Sequence, residues 1–243
     1  MKVEQRPAFY ALETGGWRDY VTLLHPPYTL WHLSYVVIGA ALAPTLPVER
    51  LLWGLAAFFL ALGVGAHALD ELNGRPLRTA IPARTLVALA TASIGGAAAI
   101  GLAAAYEWTL LLLPFVVFGT FIVVAYNLEL FGGRLHSDLW FALAWGAFPV
   151  LTAYVGAAET VRPEALLAAA FAAFLSLAQR QLSTPVRTIR RRTDRVSGAI
   201  SFSDGGEEPI TRESLLRAPE AALQALAWAI VALALALLML RLG

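Results

Sequence analysis

The sequence predicts an all-α fold, a polytopic transmembrane bundle of about seven spans forming a single domain over residues 1–243. Three observations predict it. The chain is 58% hydrophobic and 14% charged, against roughly 25% charged in an average soluble domain, and its mean hydropathy is +0.65. Its apolar residues gather into runs near the ~20 that a bilayer core requires. Its basic residues gather on alternate connections between those runs. The net charge of +1 gives no electrostatic footprint for a nucleic-acid partner. The absence of cysteine excludes disulfides, thiolate catalysis and Cys-ligated metals.

Residues 1–27 are polar and mixed and read as a cytoplasmic N-terminal segment without a cleaved signal peptide. His25-Pro26-Pro27 makes an extended lead-in, because each proline restrains the residue before it. The spans follow as Leu30–Leu46, Leu51–Leu69, Leu86–Ala105, Trp108–Leu128, Leu139–Gly156, Pro163–Ala178 and Ala221–Leu240. The first and sixth are short, so their flanks must help them cross. Residues 46–50 and Tyr106-Glu107 are tight turns joining antiparallel helices. Pro114 and Pro149 fall inside spans and read as kinks whose freed carbonyls neighbouring helices satisfy. Of 18 Lys and Arg, 15 lie on the N-terminus and the connections after spans two, four and six. The positive-inside rule then makes the N-terminus cytoplasmic. The expected setting is a prokaryotic plasma membrane.

Chemistry concentrates where the second span meets water, in residues 65–79. His67, Asp70 and Glu71 share one helical face at i, i+3 and i+4. Arg75, Arg78 and Arg84 come next. Ionisable groups at a membrane helix end need a reason. This set suits a metal ion, a phosphate or both, or simply marks the helix end. Residues 183–219 form the one long polar loop, cytoplasmic by the same rule, and begin with the polybasic stretch Arg187-Thr188-Ile189-Arg190-Arg191-Arg192. That stretch reads as a positive-inside anchor or as a phosphate-binding patch. Thr211 or Ser214 caps a short interfacial helix reaching Arg217. Pro76-Leu77-Arg78-Thr79 is echoed by Pro185-Val186-Arg187-Thr188. If that echo is a decayed repeat, the ends of spans two and six converge on a site.

In layout the chain resembles the UbiA superfamily of intramembrane prenyltransferases. The resemblance covers roughly residues 20–240 and rests on four stretches. These are the lead-in Leu24–Leu30, the segment Ala66–Arg78 where the family has its first Asp-rich motif, Tyr126-Asn127 through Arg134 and Asp138 to Trp145-Gly146, and Gln179–Arg192 where the second Asp-rich motif belongs. Asp70 matches the middle Asp of the first motif, while His67 and Gly74 stand where its other acids are expected. No acid lies between Glu164 and Asp194. The family has about nine spans.

The resemblance implies transfer of an isoprenoid group from a prenyl diphosphate to an aromatic or lipid acceptor, with Mg²⁺ as cofactor. Asp70, Glu71, Asn73 and His67 would hold the metal. Arg75, Arg78, Arg187 and Arg190 would bind the diphosphate. Asp70, Glu71 and Tyr126 would serve catalysis, with Phe118, Tyr126 and Trp145 facing the allylic cation. The expected partners are membrane lipids, a prenyl diphosphate and a hydrophobic acceptor.

Two other readings stand beside it. One is a non-catalytic isoprenoid- or lipid-binding protein, or a complex subunit, of the same fold. The other is an Fe or Zn enzyme using His67, Asp70, Glu71, His136 and Asp138, in a chain with only four histidines. Ser137 or Asp138 is also a natural N-cap for the fifth span.

Overall fold

In the computed structural model, which describes residues 6–243, each apolar run is a helix. Lys2, counted on the basic side above, lies outside the described residues. A short α1 (Trp17–Leu23) precedes α2 (Pro26–Leu42). Then come α3 (Val48–Leu72), α4 (Ala83–Glu107), α5 (Leu110–Asn127), α6 (Asp138–Ala158), α7 (Pro163–Arg192) and α8 (Arg212–Leu242). These last six are long and apolar enough to cross a membrane. The protein is therefore a helical membrane protein. The first predicted span is α2, whose 17 residues rise only about 26 Å, just under the hydrocarbon thickness.

The middle of the bundle is α2. Trp31, Tyr35 and Ile38 on α2 pack with Val150 on α6, Ala172 on α7 and Ile230 on α8. Small residues set these contacts. A Cβ on Gly39 would stand 2.2 Å from the Val150 carbonyl oxygen, so α2 and α6 touch backbone to backbone. Gly146 brings α6 onto α7 in the same way, with the Ala172 oxygen 2.5 Å from its would-be Cβ. The buried polar groups of this core pair with one another. Trp31 Nε1–H donates to the Tyr35 hydroxyl (2.6 Å), which meets Ser176 Oγ at 3.1 Å.

Two helices widen into π turns, α3 over Phe59–Ala66 and α6 over Ala142–Ala147. Pro149 has no N–H to offer the preceding turn, which frees the Trp145 carbonyl. His32 Nδ1–H from α2 donates to it at 2.9 Å. Pro149 thus behaves as expected. Pro114 does not. It sits in the first turn of the α-helical part of α5, after a 3₁₀ turn at Leu110–Leu112, where a missing N–H costs nothing.

About half of the predicted loop 183–219 is helix. The sixth span continues past Ala178 to Arg192 with Pro185 inside it. Pro185 removes the helical donor of the Gln181 carbonyl, at a residue that is exposed. Thr211 caps α8 in a reciprocal capping box with Ser214. The helix it starts is no short interfacial piece but runs unbroken to Leu242. Between α7 and α8 lies a hairpin, β1 (Ala199–Ser201) antiparallel to β2 (Glu207–Pro209), with Ile200 opposite Glu208. The sequence echo is not an echo of structure, since residues 76–79 are loop and residues 185–188 are helix.

The N-terminal segment is folded onto the bundle. Asp19, buried, accepts from the N–H groups of Gly15 (3.0 Å) and Ala80 (2.9 Å). Ala8 and Ala11 pack on Leu77. Arg191 Nε–H donates to the Pro7 carbonyl at 3.3 Å. The segment therefore bridges the loop after α3 and the end of α7.

Candidate functional site

Beneath that bridge is a polar mouth at the basic end of the bundle, and each wall follows from local sequence. The first wall is the end of α3. The π turn brings His67 Nδ1–H to the Gly63 carbonyl (3.0 Å) and lays the His67 ring flat on His25, with centroids 4.0 Å apart and planes at 7°. His25 adopts a left-handed conformation (φ 46°) that turns the chain into α2 before Pro26. Tyr10, from the N-terminal bridge, meets His25 Nδ1 at 2.9 Å. Burial holds the Tyr10 hydroxyl protonated, raising its pKa, with the Tyr28 ring adding to the effect. Burial also pushes His25 well below the ordinary imidazole range, and the nearby His67, Arg191 and Arg187 push the same way. Tyr10 O–H therefore donates to Nδ1, and the buried Nε2–H of His25 is left without a partner.

The second wall is aromatic. Tyr126 on α5 stacks on His136 (4.3 Å) and meets Trp145 on α6 at 4.4 Å. Phe141 lies nearly parallel to Trp145, 5.8 Å away. The guanidinium of Arg180 sits 5.5 Å over Phe141 and donates to Asp138 at 3.0 Å. His136 Nδ1–H donates to the Tyr126 carbonyl (3.0 Å), and Ser137 caps α6. His136 and Asp138 are thus engaged in structure. The Tyr126 hydroxyl is buried with no partner, as is Gln179 Oε1 on α7.

The third wall is α7, where Gln179, Ser183, Arg187 and Arg191 follow one another at four-residue steps down one face. Arg187 is the shared electrical neighbour of the mouth. Its charge reaches Tyr10, His25, Tyr28, Asp70 and Tyr126. Asp70, half-buried, feels Arg191 and Arg187 together with Glu71 and His136. The end of α3 thus lies within electrostatic reach of Arg187 and Arg191 on α7.

The residues singled out from sequence divide accordingly. Asp70, Tyr126 and Arg187 meet at the mouth. Glu71 is fully buried and turned away. It accepts from the N–H groups of Leu77 and Thr79 and from the Thr79 hydroxyl, each at 2.9 Å, and so fixes the loop after α3. Asn73 Nδ2–H donates to the Asn127 carbonyl at 3.2 Å. Arg75 folds onto its own loop, donating to the Ile81 carbonyl at 2.6 Å, and Arg78 is exposed. Arg190 forms a two-pronged pair with Glu220 at 2.5 and 2.9 Å. Phe118 packs on Phe148 (5.3 Å) and Trp140 (6.3 Å). Arg180, His25 and Tyr10 were not foreseen as site residues, and Arg191 only as one of the polybasic stretch. Only the arginines had a usable signal, since a helix continued through Pro185 puts Arg180, Arg187 and Arg191 on one side.

An apolar cleft leads inward from the aromatic wall. Its first part holds about 90 Å³, bounded by Phe58, Ile94, Val123, Trp145 and Phe148. Its second part holds about 70 Å³ and ends against Arg50 and Trp108. Ala57, Phe58, Gly101, Val116 and Thr152 line both parts, so the two are neighbours along the bundle. Along α4 the cleft runs from Ile94 to Trp108, about 21 Å at the helical rise. The far end is closed by Arg50, which lies 5.2 Å over Trp108, pairs with Glu159 at 2.8 Å and donates to the Gly156 carbonyl.

The donor set suits magnesium poorly. Mg²⁺ asks for hard oxygens, usually one or two carboxylates with phosphates and water. Both Glu71 oxygens are taken by the loop, which leaves Asp70 as the one carboxylate of α3 turned to the mouth. Among the described residues no group of three or more His, Asp or Glu side chains stands close enough to hold a metal ion. No protein-family model, no curated protein and no solved structure matches this chain.

Proposed function

We propose that this chain is an intramembrane prenyltransferase of the kind its layout resembles, acting on a prenyl diphosphate from the basic, cytoplasmic end. One observation carries the reading. An apolar cleft that ends against Arg50 reaches Trp145, and Trp145 packs on Tyr126, which lies within the fields of Arg180 and Arg187. That is the shape of an amphiphile with a long apolar tail and an anionic head. Arg187 and Arg191 bind the diphosphate oxygens, because guanidinium meets phosphate through paired hydrogen bonds. The allylic C–O bond breaks, and its electron pair leaves with the diphosphate. The π faces of Tyr126, Trp145 and Phe141 attract the cation left behind. A π bond of an acceptor arriving from the bilayer forms the new C–C bond, and the proton this releases goes to the Asp70 carboxylate.

The full engagement of Glu71 favours a second reading, a non-catalytic carrier or sensor of the same lipid. Purified protein incubated with radiolabelled geranylgeranyl diphosphate and a membrane extract separates the two. The transferase reading predicts a new labelled lipid with wild type and none with Arg187→Ala. Binding without any labelled product supports the carrier.

A further inference from the structure

Resting on the prenyl diphosphate reading, we infer that the mouth recognises its anionic head without a divalent cation, through Arg187 and Arg191, and that Asp70 competes with the ligand rather than holding a metal for it. Three observations combine. The carboxylate expected beside Asp70 is locked into the loop after α3 by three hydrogen bonds at 2.9 Å. Asp70 lies within the fields of two guanidiniums and has no hydrogen-bond donor fixing it elsewhere among the described residues. The buried Nε2–H of His25 and the buried Tyr126 hydroxyl have no partner, and the fields of Arg187 and Asp70 reach Tyr126 while that of Arg187 reaches His25. Orphaned buried donors are rare. Two of them around the same arginine mark the place of an acceptor-rich group, and a phosphate oxygen is such a group.

Before the head binds, Asp70 places a negative charge within the fields of Arg187 and Arg191. When the head binds, its oxygens take over the guanidiniums and the two partnerless donors, and Asp70 becomes a like charge beside it. The sign of one substitution follows. If Asp70 held Mg²⁺ for the diphosphate, Asp70→Asn would weaken binding. If Asp70 competes, Asp70→Asn strengthens it.

The test is equilibrium binding of geranylgeranyl thiodiphosphate, and separately of inorganic diphosphate, to the purified full chain in detergent. Each is measured with EDTA and with Mg²⁺, for wild type, Asp70→Asn, Arg187→Ala and Arg187→Lys. We expect EDTA to leave wild-type affinity unchanged. Asp70→Asn should tighten binding about three- to tenfold, the scale of one removed like charge at partial burial. Arg187→Ala should weaken it about tenfold or more, as loss of a charge-assisted hydrogen bond does, and Arg187→Lys should recover part of that loss. The Asp70→Asn variant is nearly isosteric, and its thermal midpoint confirms folding. Affinity that vanishes in EDTA, or falls in Asp70→Asn, overturns the inference while leaving a prenyl diphosphate site. Inorganic diphosphate binding as tightly as the lipid keeps the cation-free recognition and overturns the tail. Absence of any binding to wild type overturns both.

Discussion

Glu71 and Asp70 are adjacent in the chain and opposite in role, and their difference is a matter of partners. Glu71 is a buried carboxylate whose negative charge is stabilised by two backbone N–H groups and a hydroxyl. Replacing it with Gln puts an amide N–H₂ toward donors. We predict a loss of about 2 kcal/mol, the scale of hydrogen bonds to a buried charge, read as a lowered unfolding midpoint in detergent. Asp70→Asn should leave that midpoint near wild type. His25 gives a pH signature. Its folded pKa lies well below the usual imidazole value. The unfolded chain therefore takes up a proton near pH 6.5 that the folded chain refuses, and folding stability declines as pH falls below about 6.5. The slope for one proton is about 1.4 kcal/mol per pH unit. A midpoint measured from pH 7.5 to 5 should drop in wild type and drop less in His25→Asn.

At the scale of the element, α6 shows how one residue's lack of an N–H shapes a site. Pro149 frees the Trp145 carbonyl, and His32 fills it from the neighbouring helix. His32→Ala leaves that carbonyl unpaired and should cost about 1–3 kcal/mol. In a Pro149→Ala background the helix can satisfy its own carbonyl, so the same His32→Ala change should cost less. A double-mutant cycle on unfolding midpoints reads that coupling.

Element boundaries are also where sequence and structure part. The apolar runs themselves were legible, because ~20 apolar residues mean one thing in a bilayer. The end of α7 was not. Its residues turn polar at Gln179 and include Pro185, the usual signs of a helix stopping. The helix continues because its polar face lines the mouth and because the carbonyl freed by Pro185 belongs to an exposed residue. That misplaced end hid Arg180 and left Arg191 readable only as one of a polybasic stretch, while Asp70, Arg187 and Tyr126 remained readable from their positions near span ends. Tyr10 was beyond reach, since its contact with His25 depends on how a polar N-terminal segment folds back across the bundle.

Over the whole molecule, the two ends are chemically unlike. The far end has few cations, and two of them serve structure: Arg50 seals the cleft, and Arg241 donates to the Ala43 carbonyl. The basic end carries the mouth. With 14 of the 17 arginines on it, it should face the cytoplasm. The chain has no cysteine, so single cysteines report its orientation directly. In intact cells, a thiol reagent that cannot cross the membrane should label Thr109→Cys, and it should label Ser201→Cys only after lysis. The reverse pattern would put the mouth outside.

The central claim joins mouth and cleft into one amphiphile site, and a single measurement addresses that junction. A geranylgeranyl diphosphate analogue with a photoactivatable group at the tail terminus is bound, irradiated, and its attachment site mapped by mass spectrometry. The account predicts crosslinks to cleft residues such as Gly101, Val116 or Thr152, reduced by Arg187→Ala and blocked by Ala98→Phe, which fills the cleft. Crosslinks confined to lipid-facing residues such as Phe174 or Trp228, each more than two-thirds exposed, would contradict it.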